Sequence, residues 1–169
     1  MNASLLIAVP LLTAFVIPLI GKLHKKIPSF LVLLSTLFNI IISFSLYGQV
    51  MSKPIVVKIG NWTLPFGINL YVDKLALISL LIISTITFLI SIYNIRNTDE
   101  LNEIKFNTMF LLAFTGINGI VLTGDVFNLF VFIEIAAIST YVLATMKRKD
   151  LFVWWTNFHS TLHWLLLVL

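Results

Sequence analysis

Residues 123–146 read TGDVFNLFVFIEIAAISTYVLATM, and this stretch decides the fold. From Val126 to Met146 the run carries one charged residue, Glu134, among Phe, Val, Ile, Leu and Ala. At ~1.5 Å per residue, a helix of that length crosses a hydrocarbon core of about 30 Å. A helix of a soluble bundle would carry charged residues along its water-facing side, and this run has Glu134 alone. The charges wait at the two ends, with Asp125 before the run and Lys147-Arg148-Lys149-Asp150 after it.

The rest of the chain repeats the pattern. Apolar spans run from about Ala3 to Gly21, Ser29 to Tyr47, Leu75 to Tyr93 and Phe106 to Leu122, with the quoted span as the fifth. A sixth, aromatic run covers Leu151 to Leu169. Of the 169 residues, 59% are hydrophobic and 11% charged. Soluble domains carry about 25% charged residues, so this chain could not cover a water-facing surface. The expected fold is an all-α polytopic membrane protein of five to six transmembrane helices. Between the second and third spans, Ile55-Val56-Val57-Lys58-Ile59 is β-prone and Gly60-Asn61 signals a turn. Gly67 to Val72 can return as a second strand, giving a short outer β-hairpin-like loop with Trp62 and Tyr71 at headgroup level.

Lys and Arg counts in alternate connectors set the expected orientation. Lys22, Lys25, Lys26, Arg96, Lys105, Lys147, Arg148 and Lys149 fall on one side; Lys53, Lys58 and Lys74 fall on the other. The richer side is expected to be cytoplasmic. This predicts a multi-pass protein of the cell membrane with its N-terminus outside. The net charge of +4 does not point to nucleic acid, because the basic residues sit at span ends rather than along one stripe. The chain has no cysteine, hence no disulfide, haem attachment or thiolate-held cluster. No cofactor and no metal site is expected. The first span has no basic residue before it and contains Pro10 and Pro18, so it reads as a retained helix rather than a signal peptide.

Glu134 is the residue that points to function. Nine residues past Asp125 it lies roughly 13 Å into the membrane, near the midplane. A carboxylate there costs about 3 kcal/mol on insertion scales, so it persists only if neutralised, paired or facing internal water. Desolvation penalises the charged form of such a group, which suits uptake and release of protons. The alternative is a structural hydrogen bond between helices. No Lys or Arg falls inside the five spans, so a cationic partner is expected from beyond them.

Four further residues are weighed as supporting candidates. His159 and His163 lie four apart in the sixth run and could reach mid-depth, or be incidental polar residues of an atypical tail. Asp125 and Asn128 could mark ion entry, but capping of the fifth helix is the better-founded role, since a carboxylate accepts from the first free amides. Gly116, Asn118 and Gly119 permit close helix approach and one interhelical hydrogen bond. No phosphate loop or nucleophile constellation appears.

The string TGDVFNLFVFIEIAAISTYVL, residues 123–143, resembles the fifth-helix region of the antiporter-like subunits of complex I, membrane-bound hydrogenases and Mrp-type cation/proton antiporters. GNWTLPFGINLYVDKLALISLL, residues 60–81, is similar to the segment leading into that family's third helix. The likeness is greatest to the large Mrp D-type subunit and covers about residues 1–150. It implies translocation of H⁺ or Na⁺ among other integral membrane subunits of a large complex. It also implies that Glu134 works against a lysine on a later helix, which this chain does not contain.

Residues 151–169 do not resemble the family's sixth helix, which is rich in small residues. A shifted reading frame near Asp150, or a truncated gene, is the expectation that accounts for this tail. Two readings follow: the N-terminal piece of an ion-translocating antiporter-like subunit, or a short assembly or scaffold subunit that carries no ion. An enzyme with its own redox centre is a poor third, and an oxidoreductase label would describe the parent complex.

Overall fold

The computed structural model describes residues 3–21, 26–59, 68–97 and 103–146. Five helices and one hairpin follow in chain order: α1 (Leu5–Ile20), α2 (Ile27–Ser52), β1 (Ile55–Ile59), β2 (Ile68–Val72), α3 (Lys74–Asn97), α4 (Glu103–Leu122) and α5 (Val126–Thr145). Helices α2 to α5 are each long and apolar enough to cross a membrane; α1, of 16 residues, is a shorter apolar helix. This is the all-α polytopic architecture with a small hairpin that the sequence predicts. The sixth run, with His159 and His163, lies outside the described residues, as does Trp62.

Three contacts show that the helices alternate in direction. Ser29 at the start of α2 donates to Glu103 Oε1 at the start of α4, 2.6 Å away. Asn118 near the end of α4 donates to the Leu6 carbonyl near the start of α1, at 3.1 Å. Thr123, after α4, forms an isolated antiparallel bridge with Leu70 of β2. The hairpin, the start of α1 and the α4–α5 turn therefore share one end of the bundle, and the starts of α2 and α4 share the other.

The hairpin is antiparallel, with Ile55 opposite Val72 and Val57 opposite Leu70. Alternate side chains of a strand face opposite sides. Leu70 and Val72 are therefore buried in the core, while Val56 and Tyr71 are exposed. Asp73 closes the hairpin and starts α3, its Oδ1 accepting from Ala76 N at 2.8 Å.

Two apolar clusters hold the bundle. One, at the hairpin end, joins Leu6, Ile42, Leu46, Leu70, Leu77, Leu80 and Leu122. The other joins Ala14, Ile17, Val32, Leu111 and Phe114 towards the opposite end. A polar knot of buried residues also ties α1, α2 and α4. Asn118 Nδ2 reaches Asn39 Oδ1 at 3.3 Å as well as the Leu6 carbonyl, and Asn39 Nδ2 donates to the Ser35 carbonyl at 3.1 Å. A polar side chain in hydrocarbon must find such partners, which makes these bonds specify which helices meet.

Candidate functional site

Helix α5 is the edge of the described bundle and packs on α4. Its buried residues are Asn128, Phe132 and Ser139, at the four- and seven-residue spacing of a single helix face. The opposing surface of α4 is made of glycine. A methyl at Gly116 would fall 2.7 Å from the Ala136 backbone nitrogen, and one at Gly119 would overlap the Phe132 ring. The absence of side chains there lets the two helices approach, as the sequence suggests for Gly116 and Gly119.

The entry to α5 is held by its own first residues. Asp125 takes an extended conformation (φ −134°, ψ 150°), and its Oδ1 accepts from Asn128 N at 2.8 Å, an N-cap. Asn128 Nδ2 then donates to Thr123 Oγ1 at 3.1 Å, folding the turn back on itself. Gly124 N donates to the Asn69 carbonyl at 2.9 Å, which locks the turn to β2. A methyl at Gly124 would come within 2.7 Å of Asn69 Oδ1, so the close approach needs glycine. Asp125 and Asn128 are thus both engaged in shaping the start of the helix.

Glu134 stands two residues beyond Phe132, about 200° around the helix at ~100° per residue, so it faces away from α4. It is half-buried and has a polar interaction of its own. The same side of α5 exposes Phe127 (75%), Phe130 (45%) and Ile138 (52%). The structure therefore sets a half-buried carboxylate among exposed apolar residues on the side of α5 turned away from α4. Glu134 is not brought together with Asp125 or Asn128, which lie at the helix start, the latter on the α4 side.

Sequence reasoning missed a second polar cluster at the opposite end. Ser29, 7% exposed, donates to Glu103 and accepts from Asn107 Nδ2 at 3.2 Å. The signal was available, since Glu103 and Asn107 lie four apart at the start of one span and Ser29 at the start of another. Among the described residues, no group of three or more His, Cys, Asp or Glu could hold a metal ion.

No family model matches the chain. The antiporter protein mnhD2 of Staphylococcus haemolyticus is 34% identical over 154 residues, spanning 88% of this chain and 31% of the relative. The D-type subunit of the Na(+)/H(+) antiporter of Bacillus subtilis is 34% identical over 144 residues, spanning 83% of this chain and 29% of the relative. Among solved structures, a chain of the membrane-bound sulfane sulfur reductase, an archaeal respiratory membrane complex, superposes with a TM-score of 0.81 at 37% identity, over 86% of this chain and 30% of that one. The Mrp complex from Dietzia sp. DQ12-45-1b shares the fold, with a TM-score of 0.76 at 24% identity, over 83% of this chain and 27% of that one. The chain thus spans about 30% of the length of the curated relatives it matches.

Proposed function

We propose, from the homology of this chain to the N-terminal part of the D-type antiporter subunits, that it supplies the Glu134-bearing helix of an ion-translocating membrane subunit. The observation that carries this reading is the place of Glu134 on α5. A mid-membrane carboxylate against hydrocarbon costs about 3 kcal/mol, so a surrounding of protein or internal water is favoured over lipid on that face of the helix. Both suit a group that passes charge. The relatives are about three times longer, so they have further chain to lay against such a face.

In this reading residues 1–150 form one five-helix unit and residues 151–169 a separate, atypical segment. The unit sits in the cell membrane with its N-terminus outside, beside other integral membrane subunits of a multi-subunit complex. Its ion is H⁺ or Na⁺, and Glu134 takes up and releases charge as a cationic partner from beyond the five helices approaches and withdraws. A second reading rests on the same exposed apolar side of α5. It makes the chain part of an assembly subunit that uses α5 to hold a neighbour and moves no ion.

A Glu134→Gln variant, assayed in membrane vesicles with the complex checked on a native gel, separates the two. Translocation predicts loss of cation-dependent proton movement with the complex intact. A complex that fails to assemble, or proton movement at the wild-type rate, would sink that reading.

A further inference from the structure

We propose that the cavity between the end of α2 and the start of α3 binds the phosphate-bearing headgroup of an anionic phospholipid. The cavity measures about 350 Å³, and its walls include Lys53, Lys74, Asp73, Val50, Met51 and Pro54. It is amphipathic in a specific order. Val50 and Met51 belong to the last turn of a membrane-spanning helix, while both lysines are exposed at the cavity rim.

Length places the cavity at the membrane boundary. Helix α2 has 26 residues, so it is about 39 Å long and exceeds a hydrocarbon core of about 30 Å. Its final turns therefore stand among the headgroups, at the level where the half-exposed Tyr47 supplies an aromatic belt residue. Helix α3 begins with Lys74 at the same rim, adding the positive end of a helix dipole to the two ammonium groups. Asp73 is the one acidic wall residue, and its Oδ1 is already held by Ala76 N. The balance favours an anion with an apolar tail lying along the partly exposed Met51.

Distribution of charge supports the same conclusion. Among the described residues, Lys53, Lys58 and Lys74 are the Lys and Arg on the hairpin side of the spans. Two of these three line this one cavity. Basic groups at a membrane surface attract anionic lipid at about 1 kcal/mol each, a factor of roughly five per lysine.

The test is native mass spectrometry of the full chain released from mixed micelles containing phosphatidylglycerol and phosphatidylcholine. We expect retained phosphatidylglycerol in the wild type and a drop of about 25-fold in Lys53→Gln/Lys74→Gln, with Lys58→Gln retaining the wild-type level. Equal retention of both lipids, or an equal drop in the Lys58→Gln control, would overturn the proposal. Displacement of the lipid by millimolar inorganic phosphate would assign the cavity to the free anion and overturn the lipid assignment. Because the readout is lipid mass and not ion movement, its failure leaves the Glu134 reading standing.

Discussion

Asn118 donates its side-chain N–H to the carbonyl of Leu6 at 3.1 Å, and Leu6 is the residue whose carbonyl Pro10 cannot serve. In a helix each carbonyl accepts from the N–H four residues on, and proline has none to give. The side chain of α4 fills a gap that proline opens in α1, and the bond joins residues far apart in sequence.

Removing that donor should therefore cost more when Pro10 is present than when it is absent. Asn118→Leu is expected to destabilise the bundle by about 1–2 kcal/mol, measured as a lower unfolding midpoint in detergent. Pro10→Ala restores an N–H four residues after Leu6, so the double variant should recover part of that loss. Additive losses in the double variant would show that the Leu6 carbonyl is not the partner that matters.

The α4–α5 seam predicts two glycine variants that respond differently to relief. Gly119→Ala meets the Phe132 ring, a side chain that can be trimmed, whereas Gly116→Ala meets the Ala136 backbone. Overpacking costs about 1–3 kcal/mol in each case. Adding Phe132→Ala should rescue the Gly119 variant towards the stability of Phe132→Ala alone and leave the Gly116 variant unrescued. Thermal unfolding of the single and double variants checks both halves.

Asp125 separates a cap from an ion entry. Asp125→Asn keeps an Oδ1 acceptor for Asn128 N, so stability should change by a few tenths of a kcal/mol; Asp125→Ala should lose about 1 kcal/mol. Ion movement in vesicles should follow stability, with Asn near wild type. Loss of movement in a stable Asp125→Asn protein would make its charge, and not its capping, the function.

Ser29 links the starts of α2 and α4 through one hydroxyl that both donates and accepts. Ser29→Ala removes both bonds, with a net loss of about 1–3 kcal/mol. Hydrogen exchange should speed up at the first turn of α4, around Glu103 to Asn107, while the hairpin end stays protected. Uniform acceleration across all helices would refute a local role.

Much of this architecture was legible from the sequence, because apolar runs of membrane length leave few alternatives. The strands of the hairpin were legible too, since Ile55–Ile59 is β-prone and a return strand ending at Val72 follows. Helix ends were less so: α2 continues past Tyr47 to Ser52, because Gly48, Gln49 and Ser52 end the apolar run without ending the helix. The sequence suggests an interhelical bond for Asn118 but not its partners Leu6 and Asn39, and the Ser29 cluster was not read, since pairing across helices depends on which faces meet. Glu134 could be placed in depth by counting residues. Its direction could not, because that needs the rotation of α5, which Gly116, Gly119 and Phe132 set only through contact.

The bridge between Leu70 and Thr123, with the Gly124–Asn69 bond beside it, acts as a depth gauge. The start of α5 is tied to a strand whose Leu70 and Val72 are themselves fixed in the core of the bundle. A helix sliding along its axis moves about 1.5 Å per residue, so a slip of one turn would carry Glu134 about 5.4 Å off level. The hairpin thus sets the axial position of a carboxylate more than two turns further along α5.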